Sequence, residues 1–347
     1  MEALAVVGGG IAGLALAACL DPGRFRVTVH ERREEPASVE TSLAMWPEAQ
    51  RALDGVGILA AVRAAGSEFG GMALRDGSGN VLLTARASGV IGVSRADLLR
   101  LLDAAVPASV ARAYGPVASL PGPGLVVGAD GVHSIVRRSV WGEHTKARLT
   151  PYLALRGIID ETVPAGGGGE YWGRGQLFGI APASRGRTYW YASYRSGLGP
   201  GGIDVDEALA VTRGRFSGRA AGIDRVLAAA VPGETLAQRV WTVPFPGSYQ
   251  RDGAVLVGDA AHGMTPNLGR GACEALIDAA TLADLLNNRP LPEALRAYNR
   301  RRLLRSQALR VASSAMARLA LAEGGQPLRD GLLRLAHRPR GAAAVER

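Results

Sequence analysis

"AVVGGGIAGLALA", residues 5–17, sets the frame for the rest of the chain. Ala5, Val6 and Val7 read as the end of a buried strand, and from Ile11 onward the pattern is that of a helix. Between them stand Gly8, Gly10 and Gly13 in G-x-G-x-x-G spacing. The first glycine permits a tight turn, the second lets a pyrophosphate approach the backbone, and the third lets the helix lie close to the strand. The free N–H groups and the positive helix end then form an anion site. A second strand, "FRVTVH" (25–30), leads to Glu31, where a carboxylate would take adenosine ribose hydroxyls. A purely structural glycine turn is the competing reading.

Two further strand–turn–helix units lie far downstream. In "GLVVGADGVHSIVRR" (124–138), Asp130 ends a buried strand in a Gly-Asp-Gly turn, with Ser134, Arg137 and Arg138 on the helix after it. Alone this fits an ordinary turn with an N-capping acid as well as a ligand site. In "VLVGDAAHGMTPNLGRGACEALIDAATLADLL" (255–286), Asp259 follows a strand and can accept hydrogen bonds from a polyol chain. Pro266 stiffens the loop, and Gly269 and Gly271 expose N–H groups where a helix begins near Ala272. A helix end aimed at a ring carbonyl would stabilise charge developing there. One ligand needs all of these features: an adenine dinucleotide ending in a redox ring with a ribityl chain. Nicotinamide has no ribityl chain, so FAD fits better than NAD.

The chain has 347 residues, enough for one large core or two domains. With 47% apolar and 20% charged residues it reads as globular rather than disordered. No apolar run approaches the roughly 20 residues that span a bilayer. The N-terminus lacks a basic leader and is broken by glycines, which argues for a strand and helix rather than a signal peptide. The formal charge of +9 raises the question of nucleic acid. However, Lys146 is the only lysine, and the densest basic cluster, Arg296 to Arg310, has Leu303, Leu304 and Leu309 interleaved as on a solvated helix face. Neither a nucleic-acid nor a membrane partner is expected. Cys19 and Cys273 show no metal-ligand spacing and read as buried thiols of a cytoplasmic protein; no metal is expected.

From Tyr152 to about Pro244 the grammar changes to short β-rich segments broken by Gly and Pro, such as "GEYWGRGQLFGIAP" and "RTYWYASYR". They predict an antiparallel sheet. The expected fold is therefore α/β: a Rossmann-like FAD-binding domain with an inserted, mostly antiparallel β-sheet substrate domain and C-terminal helices. Residues 1–70, 92–150 and 246–310 form the first domain in this reading. Residues 71–91 and 151–245 form the second, and 311–347 a helical segment and tail. The run Gly166–Gly169 reads as a flexible hairpin loop, and the tail from Arg338 as frayed.

In this order the three motifs resemble the flavin-dependent monooxygenases of the para-hydroxybenzoate hydroxylase class, whose FAD-binding domain is of the GR2 type. "TSLAMWPEAQRALDGVGI", "GVSRADLLRLL" and "LRAYNRRRLLR" are similar to further segments of that family. The similarity covers nearly the whole chain and is nearest the urate and salicylate hydroxylase types. It implies that Gly8, Gly10 and Gly13, with Ile11 and Ala12, hold the pyrophosphate, and that Glu31 holds the ribose beside Arg32. Arg95 would lie along the phosphates or ribityl, Asp259 at the ribityl or pyrophosphate, and Asp130 would support the dinucleotide site. Pro266, Gly269, Gly271 and Ala272 would flank the isoalloxazine. The resemblance also implies that NADH or NADPH docks transiently to reduce the flavin. Oxygen from O2 then passes, through a flavin C4a-hydroperoxide, to an electron-rich carbon of a small aromatic substrate. The flavin supplies the chemistry, so no protein nucleophile is expected; His262 and Pro266 are the ring-proximal candidates, although the family motif carries His262 as a structural residue. Substrate contacts are expected from Trp46, Arg156, Trp172, Phe178, Tyr189 and Tyr191. In "TYWYASY", Tyr189, Tyr191 and Ser193 share one face and Trp190, Ala192 and Tyr194 the other; the pattern leaves open which face meets the ligand.

Three departures stand out. Residues 107–124 are shorter than the family's two-strand interval, Arg270 stands where glutamine is common, and Ile277 where an acid often precedes Asp278 and Ala279. A reductase of a hydrophobic substrate and a FAD-binding protein without turnover are the alternatives, and a monomer or homodimer is expected.

Overall fold

The computed structural model describes residues 1–34, 39–85, 88–163 and 168–337. Gly166 and Gly167 of the glycine run, and the tail from Arg338, lie outside the described residues.

β1 (Glu2–Val7) turns through the glycines into α1 (Ile11–Cys19), and β2 (Phe25–Glu31) returns beside it. Next come β3 (Ser42–Met45), α2 (Pro47–Val56), α3 (Leu59–Ala65) and β4 (Ser67–Phe69). β5 (Met72–Asp76) and β6 (Val81–Ala85) form a hairpin, and β7 (Val90–Ser94) runs into α4 (Arg95–Ala105). β8 (Ala111–Tyr114), β9 (Leu125–Gly128) and α5 (Ile135–Trp141) follow. The long strands β10 (Arg148–Ile159), β11 (Gly169–Trp172), β12 (Gln176–Pro182) and β13 (Thr188–Arg195) build a second sheet. Two helices, α6 (Val205–Phe216) and α7 (Ala221–Ala229), precede β14 (Thr235–Thr242). The chain closes with β15 (Gln250–Arg251), β16 (Ala254–Leu256), α8 (Asp259–His262), α9 (Gly271–Asn288), α10 (Leu291–Ala320) and α11 (Gln326–His337).

The first sheet has the order β15-β16-β9-β1-β2-β8, parallel except for the β15–β16 pair. Its register sets Leu256, Gly128, Val7 and His30 level with one another. All three predicted turns therefore leave the same edge of the sheet, on adjacent strands. Val6, Val127, Leu256, Leu16 and Leu282 fill one core between this sheet and its helices. The short interval 107–124 keeps one strand, β8, which closes the edge beside β2.

The second sheet runs β14-β10-β13-β12-β11-β5-β6 and is antiparallel except for β11–β5. One face carries Leu155, Phe178, Ile180, Trp190, Ala192 and Tyr194. An apolar face needs a cover. The helices α6 and α7 supply it through Leu209, Phe216, Ile223 and Val226, although the sequence of this region reads only as β-rich. A small sheet, β3-β7-β4, joins the two layers, and the expected boundary between 91 and 92 falls inside β7. Among the described residues no helix is long and apolar enough to cross a membrane.

Candidate functional site

Each glycine of the first turn has a distinct steric reason. Gly8 has φ +112°, and a Cβ there would sit 2.4 Å from the Ala129 carbonyl oxygen, so the first turn presses on the second. At Gly13 a Cβ would meet the Gly8 carbonyl at 1.9 Å, which ties α1 to its own strand. A Cβ at Gly10 would have no neighbour within 4 Å: it faces open space beside a helix end without a side-chain cap. That opening is what a pyrophosphate requires. Glu31 Oε2 accepts the Gly9 N–H at 2.7 Å and Oε1 the Arg33 N–H at 3.1 Å, holding the carboxylate at the rim of the glycine loop.

In the second turn, Asp130 Oδ2 accepts the Ile135 and Val136 N–H groups at 2.7 and 3.2 Å, capping α5. Its Oδ1 is buried with no partner. Burial pushes the Asp130 pKa upward, against the hydrogen bonds from Ser134 and the helix end. Arg137, fully buried, binds this turn to the third. Its guanidinium donates to the carbonyls of Thr145 (2.9 Å), Ala260 (2.7 Å) and Val132 (2.6 Å). Burial lowers its pKa to about 10, so it stays a cation near neutral pH. In the sequence Arg137 is one of two adjacent arginines on a short helix, and only the fold separates their roles.

The third turn packs on the first: a Cβ at Gly258 (φ +60°) would lie 3.1 Å from that of Ala12. Asp259 is exposed at the edge, and a Cβ on Gly271 would be 3.8 Å from its Oδ1. The α9 N-terminus has no side-chain cap, Gly269 before it is left-handed at φ +60°, and Pro266 is exposed alongside. Arg270 stacks over the Trp46 ring at 5.4 Å and bridges Glu48 (3.3 Å) and Glu274 (3.2 Å). It pins the start of α9 to α2, while the buried Trp46 Nε1 is left without a partner.

Of the two roles left open for His262, ring-proximal is the one its burial disfavours: it is fully buried, and its Nε2 meets Asp278 Oδ2 at 2.7 Å. Arg302 binds the same cluster through Asp278 Oδ1 and Glu274 Oε2, both at 2.6 Å, and Gly258 N donates to Asp278 Oδ2 at 2.9 Å. Burial disfavours the imidazolium, but Asp278 outweighs it and the His262 pKa moves up. Burial likewise opposes ionised Asp278, yet His262 and Arg302 pull its pKa down. This buried quartet holds the third turn from behind. Asp278, which follows the departure at Ile277, is the acid that His262, Arg302 and Gly258 share.

The open face of the second sheet carries Arg156, Tyr189 and Tyr191, each half-buried. Arg156 opposes Tyr191 in the register, and the two tyrosine rings lie 5.7 Å apart. Partial burial lowers the Arg95 pKa, Asp259 raises it and Arg156 lowers it, so the three charges share one space between sheet and turns. Two expected substrate contacts are corrected. Phe178 is fully buried on the opposite face, stacked on Trp190 at 5.8 Å beneath α6 and α7. Trp172 lies on the open side but is covered by α10 and α11, with Arg329 over its ring at 5.3 Å. Glu170, which sequence reading missed, sits beside it in the same strand; its only signal is an acid alternating with aromatics in "GEYW".

These residues fit an FAD. The open cradle at Gly10, the orphaned Asp130 Oδ1 and the uncapped ends of α1 and α9 are all features that such a ligand would complete. A family model described as "FAD binding domain" matches residues 123–313, and one described as "NAD(P)-binding Rossmann-like domain" matches residues 6–43. The aurachin C monooxygenase/isomerase of Stigmatella aurantiaca is 32% identical, over 87% of this chain and 85% of its own. The 2-heptyl-3-hydroxy-4(1H)-quinolone synthase of Pseudomonas aeruginosa is 30% identical, over 95% of this chain and 93% of its own. The crystal structure of Klebsiella pneumoniae HpxO complexed with FAD and uric acid superposes with a TM-score of 0.84 at 25% identity, covering 96% of this chain and 93% of that one.

Proposed function

This chain belongs to the family of FAD-dependent aromatic hydroxylases and monooxygenases, and from that premise we propose that it oxygenates a nitrogen-containing or phenolic ring compound held between the flavin and the open face of the β10–β13 sheet. The observation that carries this reading is the convergence of three turns on one sheet edge, where Asp259 and, from the open sheet face, Arg156 both act on Arg95. Bound FAD, reduced by NADH or NADPH, supplies the oxygen transfer.

The chain's own residues bind and orient. Gly8, Gly10, Ile11, Ala12 and Gly13 receive the pyrophosphate at the end of α1, and Glu31 with Arg32 the ribose. Arg95 and Asp259, coupled across the cleft, hold the ribityl and phosphate region. Pro266, Gly269, Gly271 and Ala272 offer the ring the N-terminus of α9, whose N–H groups stabilise negative charge there. Asp130 contributes from behind, as the cap of α5. Trp46 closes one side, and Arg156, Tyr189 and Tyr191 meet the substrate. In this proposal residues 1–70, 92–150 and 246–310 hold the cofactor, and 71–91 with 151–245 form the substrate layer. The name of the quinolone relative supports a bicyclic heteroaromatic substrate class.

The test is to purify the protein with its flavin and follow NAD(P)H oxidation with phenols, quinolones and purines under isotope-labelled O2. Substrate-stimulated oxidation with labelled oxygen in the product is expected. Oxidation that yields only peroxide and responds to no compound would overturn the reading.

A further inference from the structure

The register of the second sheet lines up Arg156, Tyr191, Gly179 and Glu170 as direct neighbours on four successive strands, all on the open face. Gly179 is the reason Tyr191 can lie flat across the sheet. A Cβ at Gly179 would be 2.0 Å from the Tyr191 Cζ, so the ring occupies the space that any other side chain would fill. Passing over Gly179, the phenol reaches Glu170 and donates to Oε2 at 2.6 Å. The other carboxylate oxygen takes the indole N–H of Trp172. Trp172 is in turn clamped under α10 and α11, so the acid has little freedom to turn away. Glu170, Tyr189 and Tyr191 nonetheless all keep accessible surface.

A phenol has one proton and two lone pairs. Once the proton is committed to Glu170, what remains toward the open space is an acceptor. We propose that Tyr191, held by Glu170 across Gly179, selects ring substrates that present an N–H or O–H donor to the sheet. The inference rests on the substrate layer proposed above and adds to it a polarity, together with Glu170 as its positioning residue. Burial and the adjoining carboxylate both push the Tyr191 pKa well above its ordinary value, so the phenol keeps its proton, while burial raises the Glu170 pKa against the hydrogen bonds that Tyr191 and Trp172 give it. Sites that hydrogen-bond a substrate group reject the analogue lacking it, because the site's own polar atom is left unpaired.

The sense of the polarity is testable because Glu170→Gln should reverse it. A glutamine carbonyl can keep the Trp172 N–H, but its amide then donates to Tyr191, whose own O–H turns toward the substrate. Tyr191→Phe removes the group altogether. The measurement is the dissociation constant of the FAD-loaded protein for 4(1H)-quinolone and for 1-methyl-4-quinolone, read from the flavin absorbance. Flavin content and thermal midpoint serve as folding controls. The wild type should favour the N–H compound by about tenfold or more. The preference should collapse in Tyr191→Phe and collapse or reverse in Glu170→Gln. A wild type that binds neither compound, or both within about twofold, overturns the proposal, as does a preference that survives both substitutions. Turnover is read separately: an intact preference without oxygen incorporation would sink the monooxygenase reading and leave this one standing.

Discussion

Arg137 Nη1 donates to the Ala260 carbonyl at 2.7 Å, linking residues 123 positions apart and fastening the second turn to the third. Since those turns carry Asp130 and Asp259, the relative placement of the two acids depends on a cation that touches neither the open cradle nor the open face of the second sheet.

Replacing Arg137 with Met should therefore cost stability first. Two buried carbonyls and a half-buried one lose their donor, for which about 3–5 kcal/mol is the expected scale. Urea unfolding of the FAD-loaded protein measures it. Arg137→Lys, which offers a point charge rather than a fork, should fall between the two. A loss below about 1 kcal/mol for the Met variant would show that the turns are held by something else.

The glycines of the first turn should separate binding from folding. Gly10→Ala adds a methyl group where the protein has no atom within 4 Å, so the fold should survive while FAD affinity drops by about tenfold or more. Gly13→Ala forces a Cβ into the Gly8 carbonyl at 1.9 Å and should damage both. Titration of FAD into apoprotein, beside a melting curve, distinguishes the two outcomes.

The buried His262–Asp278 pair should give stability a definite pH dependence. A raised histidine contributes stability that is complete below its ordinary range, about pH 6.5, and is lost as pH rises through its folded value. A lowered aspartate contributes stability present above its ordinary range, about pH 3.9, and lost as pH falls through its folded value. The wild-type urea midpoint should thus decline on the alkaline side, and His262→Gln should flatten that limb. Parallel alkaline limbs in the two proteins would contradict the assignment.

The two faces of the second sheet should respond differently to mutation. Phe178→Ala empties a core position between Trp190 and Phe216 and should cost about 3–5 kcal/mol with little change in KM. Tyr189→Phe should leave stability within about 1 kcal/mol and raise KM severalfold. Steady-state kinetics beside denaturant curves would reveal an inverted pattern if the faces were assigned the wrong way round.

Much of this architecture was legible before any coordinates. G-x-G-x-x-G spacing has few physical solutions, and each of Gly8, Gly10 and Gly13 has the steric reason the spacing implies. Apolar runs ending in Gly-Asp turns predict parallel strands, and strands that share a direction deliver their turns to one edge. The helices α6 and α7 were hidden because their sequence lies among β segments, and only an apolar sheet face in need of cover explains them. His262 reads as structural from the family motif, with ring proximity left open, but nothing beside it in the chain signals what holds it. Its real neighbours, Asp278 and Arg302, come from helices 16 and 40 residues further on.

Local periodicity was enough to sort Tyr189 and Tyr191 from Trp190 and Ala192, because side chains alternate along any strand. Which of those sets lies open toward the turns was a matter of what packs where. The helices α6 and α7 seat on one face, and Arg156 faces Arg95 and Asp259 from the other. Contacts such as Tyr191 with Glu170, or Arg137 with Ala260, depend on register and turn placement summed over the whole fold. No window of the chain contains that sum, which is why strand, turn and cofactor class could be read along the sequence while these long-range contacts could not.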